Sequence, residues 1–218
     1  SRHPVESISD YNAPIMETMG LLTATLVTHL LGSIGGPAYA AEKVPLIIFL
    51  GDSLTAGYGL GEEQAFPALV GARLESEGIP VEIVNAGISG DTTAGGLSRV
   101  DWLLAQEPDL MVVELGANDG LRGLSLEETE ANLDGILRRC QEAGSKVLLI
   151  GMKIPPSYGS EYAGEFEDIF TRLASQHGVA VMPFLLEGVA AKPELNQQDG
   201  IHPNAEGQRR LAANVVPY

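Results

Sequence analysis

Beyond Lys43 the chain alternates between short unbroken apolar runs and longer stretches with helical spacing. The apolar runs occupy residues 44–50 (VPLIIFL), 81–86 (VEIVNA), 110–115 (LMVVEL), 146–151 (KVLLIG) and 179–184 (VAVMPF). A short, largely continuous apolar run, rather than one apolar at every second position, marks a strand buried on both faces. Between the runs the period changes. Ser125 and Glu128 form a capping-box pattern, and Leu126, Thr129, Leu133, Ile136, Leu137 and Cys140 recur every three or four residues up to Gly144. Tyr162, Phe166, Ile169, Phe170 and Leu173 make a second stripe that ends near His177 and Gly178. Pro67 suits the first turn of a helix running to Gly78, Leu97, Val100, Leu103 and Leu104 mark another, and residues 205–215 a last.

Five strands alternating with helices predict an α/β fold, a three-layer α/β/α sandwich around a five-stranded parallel sheet. In such sheets ligands bind beyond the carboxyl ends of the strands, so the loops after residues 50, 86, 115, 151 and 184 should carry the function. No internal repeat or low-complexity tract interrupts residues 41–218, which read as one domain.

Composition narrows the partners. Of 218 residues 44% are hydrophobic, which suits a folded domain, and the formal charge is −16. Residues 41–218 carry 12 Lys/Arg against 26 Asp/Glu, or −14, so the acidity belongs to the domain. A nucleic-acid partner is disfavoured, because phosphate is met by Lys and Arg. One cysteine excludes an internal disulfide framework.

Residues 1–40 differ from the rest. An apolar stretch from Gly20 to Ile34 is followed by Gly35, Gly36 and Pro37, then by Ala38-Tyr39-Ala40. An apolar core, helix breakers and small residues at −3 and −1 predict a leader with a signal-like segment cleaved after Ala40, hence a periplasmic or secreted protein. No Lys or Arg stands between Met16 and the apolar run. The run is too interrupted by Thr, Gly and His29 for a membrane anchor, so no stable membrane insertion is expected. Residues 1–15 read as an upstream extension.

The strand-end loops hold the candidate chemistry. Gly51-Asp52-Ser53-Leu54 follows the first strand, Gly87-Ile-Ser-Gly90-Asp91 the second, Gly116-Ala-Asn118-Asp119 the third, and Asp199-Gly-Ile-His202 lies beyond the fifth. A serine, an imidazole with a carboxylate three residues before it, and several N–H donors make a complete acyl-transfer set. Singly, each has a plainer reading: Gly-Asp-Ser and Asn-Asp are common turns, Ser89 and Asp91 can be turn and cap residues, and Asp199 can cap the last helix. His177, at a helix end, reads as a cap-and-dipole residue, which leaves His202 as the candidate base.

These four blocks resemble the signatures of the SGNH, or GDSL, hydrolases: GDSL at 51–54, Gly90, GxND at 116–119 and DxxH at 199–202. The longer stretches 88–99, 114–123, 155–159 and 199–203 are similar to the bacterial periplasmic thioesterase I, arylesterase and lysophospholipase subgroup. The resemblance implies the flavodoxin-like fold of that family and a serine esterase acting on esters and thioesters through an acyl-enzyme. It implies Ser53 as nucleophile, His202 as base and Asp199 as the residue orienting it. The N–H groups of Ser53 and Gly90 and the amide of Asn118 would form the oxyanion hole, with no metal or organic cofactor. The absence of G-x-S-x-G argues against an α/β-hydrolase. Leu121, Ile154, Pro155 and Tyr158 are candidates for the acyl or aryl side of a small ester or thioester substrate, although Pro155-Pro156 can equally be a rigid connector. A carbohydrate acetyl esterase and a non-catalytic binding module are the competing readings. The sequence does not decide the oligomeric state.

Overall fold

The structure, a computed structural model, describes residues 43–218; the leader and the cleavage expected after Ala40 lie outside the described residues. All five apolar runs are strands: β1 (Leu46–Gly51), β2 (Glu82–Gly87), β3 (Leu110–Glu114), β4 (Lys146–Ile150) and β5 (Ala180–Met182). Every pairing is parallel, in the order β2-β1-β3-β4-β5. The central strands β1, β3 and β4 are buried over most of their length, whereas edge strand β2 is mostly half-buried. β5 is shorter than its apolar run because Pro183, with no N–H, cannot extend the ladder.

The expected helices are α2 (Phe66–Ser76), α3 (Thr93–Leu104), α5 (Leu126–Glu142), α6 (Ser160–His177) and α7 (Ala205–Val215). Two short ones, α1 (Ser53–Ala56) and α4 (Ala117–Leu121), have no periodic signal because each is about one turn long. The chain leaves β1 in one direction to form β2, then crosses back to build β3, β4 and β5. Right-handed crossovers therefore put α2 on one face of the sheet and α3, α5 and α6 on the other. The packing agrees, with α3 against α5, α5 against α6, and α2 against α7. Edge-to-face pairs fill the two core layers, Phe49 with Phe66 at 5.6 Å and Phe166 with Phe170 at 5.4 Å between ring centres. The reversal of winding between β1 and β3 opens a crevice at their carboxyl ends. Gly51, the last residue of β1, lies there in register with Gly87 of β2 and Glu114 of β3.

Candidate active site

Ser53 is the first residue of α1, immediately beyond β1. Asp52 caps that turn: its carboxylate accepts the Leu54 N–H at 3.0 Å, and its carbonyl accepts the Ala56 N–H at 2.9 Å. Gly57 closes the turn in the left-handed region. Buried Gln208 of α7 clamps it from behind, accepting the Phe66 N–H at 2.8 Å and donating to the Leu54 carbonyl at 3.2 Å.

His202 reaches the serine from the long connection between β5 and α7. Its Nε2 is 3.0 Å from Ser53 Oγ, and its Nδ1 is 2.8 Å from Asp199 Oδ2. With Nδ1–H donating to Asp199, Nε2 is left as the acceptor for the serine hydroxyl. The other Asp199 oxygen accepts the N–H groups of Ile201 and His202, so the carboxylate shapes the turn that carries the base. The His202 N–H, then its ring, then the Ile201 N–H hold Asp199 down at about 2. Gln197 pins the turn, its N–H donating to the His202 carbonyl at 2.7 Å and its amide to the Tyr58 carbonyl at 2.6 Å. The last helix is capped by Asn204 rather than by Asp199.

Gly90 and Asn118, the other two residues expected to supply oxyanion donors, lie beyond β2 and β3 and are joined through Arg122. Gly90 has φ +82, a conformation that disfavours any residue with a side chain. Asn118 lies on α4, its amide held at both ends: Nδ2 donates to Asp52 Oδ2 at 3.1 Å, and Oδ1 accepts from Arg122 at 3.3 Å. Arg122 also donates to the Gly90 carbonyl at 2.8 Å, tying the two donor loops together. Among the described residues, neither the Ser53 N–H nor the Gly90 N–H has a protein acceptor.

Two carboxyls lie under the serine. Asp52 and Glu114 are both essentially inaccessible. Burial pushes Asp52 up to about 6, against the opposing hydrogen bonds from Leu54, Asn118 and Glu114. Burial, and then the charge of Asp52, push Glu114 well above the usual carboxylate range. Neither residue was singled out for chemistry by its sequence, and no local signal marks a contact 62 residues apart. Arg99 was missed for the same reason; it pairs with Asp91 at 2.8 Å and donates to the carbonyls of Ala86 and Gly51, fixing the ends of β2 and β1. Asp91 thus serves as partner to Arg99, and Thr92 caps α3.

A cavity of about 900 Å³ opens from Ser53, Asn118 and His202. Leu121, Ile154 and Pro155 line it, together with Met152, Phe184 and Leu186, whose apolar side chains carry no signal of a groove in the sequence. Tyr158 is not among the lining residues: it ends a single 3-10 turn (Pro156–Tyr158) and is half exposed. Tyr58 was also missed; its ring lies 4.5 Å from that of His202. His177 does more than end a helix, bridging α6 to α5 through Asp134 at 2.7 Å and Gln141 at 3.1 Å. Cys140 is buried in α5, its thiol pushed up to about 12 by burial, which fits a packing role. Among the described residues no His, Cys, Asp and Glu side chains cluster to hold a metal ion, and no helix is long and apolar enough to cross a membrane.

A nucleophile hydrogen-bonded to an imidazole, an ionised carboxylate behind it and N–H donors beside it can carry out acyl transfer. Comparison with known proteins points the same way. Residues 49–210 match the profile of the GDSL-like Lipase/Acylhydrolase family. The chain is 45% identical over 179 residues to "Esterase TesA" of Pseudomonas aeruginosa, covering 82% of this chain and 88% of that one. It is 41% identical over 175 residues to "Thioesterase 1/protease 1/lysophospholipase L1" of Escherichia coli K12, covering 80% and 83%. A crystal structure of TesA superposes with a TM-score of 0.76 at 44% identity, covering 79% of this chain and 96% of that one.

Proposed function

The chain belongs to the GDSL-like lipase/acylhydrolase family, and from that premise we propose that it is a serine hydrolase of carboxylic esters and thioesters, working through an acyl-enzyme. The observation that carries this reading is the continuous hydrogen-bonded chain Ser53–His202–Asp199 at the mouth of an apolar cavity. Ser53 Oγ attacks the substrate carbonyl while His202 Nε2 takes its proton. The oxyanion that forms is met by the N–H groups of Ser53 and Gly90 and the amide of Asn118. The intermediate collapses as the protonated imidazole delivers that proton to the departing alcohol or thiol. Water, activated by the same imidazole, then releases the acid. Asp199, ionised throughout the neutral range, balances the imidazolium.

The cavity supports a substrate with an apolar acyl or aryl group, Leu121, Ile154 and Pro155 being its contacts near the serine. Esterase, thioesterase and lysophospholipase are the activities in the relatives' names, and an apolar groove fits them better than a carbohydrate acetyl ester. The pattern ending at Ala40 supports export, which an exported chain beginning at Ala41 would bear out. A chain-length series of p-nitrophenyl esters and acyl-CoA thioesters, run on wild type and Ser53→Ala, tests the function. Hydrolysis that disappears with Ser53 is expected. Retention of appreciable hydrolysis by Ser53→Ala overturns the assignment.

A further inference from the structure

Directly beneath the nucleophile lies a carboxyl for which the reaction above has no use. Glu114 ends β3, in register with Gly51, one residue before Asp52. It is completely buried, and its oxygens differ in their surroundings. Oε2 accepts from the Thr55 hydroxyl at 2.6 Å and from the Asp52 N–H at 3.3 Å. Oε1 is buried with no donor facing it. Asp52 is the reverse case, because both its oxygens have donors: Leu54 N–H on Oδ1 and the Asn118 amide on Oδ2. Arg99, which reaches the neighbouring Gly51 carbonyl, is committed to Asp91 and to backbone carbonyls. Two neighbouring carboxyls buried this completely cannot both be ionised without a cation between them. The carboxyl whose oxygens both have donors is Asp52, and the oxygen lacking a donor belongs to Glu114, so the proton belongs on Glu114.

We propose that Glu114 is a positioning residue of the oxyanion site: as a neutral acid it donates a hydrogen bond to the Asp52 carboxylate, which in turn holds the Asn118 amide in place. The proposal rests on the reading of Asn118 as an oxyanion donor. Asp52 is the hinge of the arrangement, since the carboxylate that takes the Asn118 amide also caps the turn carrying Ser53. A neutral Glu114 keeps Asp52 charged for both tasks and adds no second buried charge.

The test compares Glu114→Gln, which preserves a neutral donor, with Glu114→Leu, which removes it. Removing an oxyanion donor outright costs ~100–1,000-fold in rate, so a donor left in place but loosened should cost roughly 10- to 100-fold in kcat. Glu114→Leu should show that loss in kcat with KM little changed, and Glu114→Gln should recover most of it. In an Asn118→Ala background the same Leu substitution should change kcat by less than about threefold, because the two act as one unit. In the infrared, wild type should show a protonated-carboxyl C=O band that Glu114→Gln lacks. That measurement stands even if Glu114→Leu does not fold. A wild-type spectrum without the band overturns the proposal. So does a Leu effect that persists undiminished on top of Asn118→Ala, or one that falls on KM. Ser53→Ala separates this from the functional reading: if that variant is inactive while the Glu114 results fail, only the positioning role is lost.

Discussion

At the scale of single residues the site is a set of side chains each constrained from two directions. Asn118 illustrates this: Arg122 holds its oxygen and Asp52 its nitrogen, which leaves one amide hydrogen without a protein acceptor among the described residues, as the proposed oxyanion role requires. Asn118→Ala should therefore lower kcat by about 100–1,000-fold with the fold intact, checked by steady-state kinetics and circular dichroism. Asp199 is constrained by its own turn as well as by His202. Asp199→Asn keeps the shape but reverses the hydrogen bond that sets the imidazole tautomer, so kcat should fall by about four orders of magnitude. A loss of less than tenfold would show that the tautomer is set by something else. His202 was legible from its carboxylate at i−3. Asp52, in the same sequence block as Ser53, was legible only as part of a turn, because its second task depends on residues from β3 and α4.

Among elements, the strand ends decide where the chemistry sits. α1 is too short to hold itself in place and depends on its neighbours. Asn85, next to the end of β2, donates to the Thr55 carbonyl at 2.8 Å and takes the Gly87 N–H at 3.0 Å. Gly87 lies so close to α1 that a methyl group there would strike the backbone of Ala56. Gly87→Ala should therefore displace the nucleophile turn. We expect a loss of roughly 1–3 kcal/mol in stability, of the size seen when a packed interior is overfilled, together with reduced kcat. Urea unfolding and kinetics on the same preparation would check both; an unchanged kcat would show that α1 is held mainly by Gln208. The long connection before α7 is likewise ordered by particular contacts. Asn196, buried, donates to the carbonyls of Val189 and Lys192 and so fixes the base of the loop that delivers Asp199 and His202.

For the whole molecule, the buried carboxyls link folding to pH. The native values of Asp52 and Glu114 lie above those of an unfolded chain, so the native state holds more protons than the unfolded one from the ordinary carboxylate range up to about 6 and beyond. Stability from this pair is fullest below that range and is lost as pH rises through it. Asp199 has the opposite sign: its value is lowered, so its contribution is present above the ordinary carboxylate range and lost as pH falls toward about 2. Replacing Glu114 by Gln removes one member of the pair. The decline in unfolding midpoint between about pH 4 and about pH 8 should be shallower in Glu114→Gln than in wild type, as measured by denaturant titration across that range. Parallel curves would show that the pair does not titrate with folding.

The chain's own pattern determined the layered α/β architecture, because strands buried on both faces must be apolar throughout and the helices between them must each hide one stripe. It also determined the reaction class, since a serine, a histidine with its carboxylate and Gly-flanked donors occupy the strand-end loops where a parallel sheet binds ligands. Tertiary structure alone decided what surrounds those groups. The winding reversal brings Glu114 beside Gly51 and Asp52, and α7 carries Gln208 back to Leu54, a separation of 154 residues. It left Tyr158 out of the groove's lining and brought Met152, Phe184 and Leu186 to its wall. Periodicity reports which face of an element is buried. Which side chains meet across the ends of different strands depends on register and crossover, and these exist only once the sheet has formed.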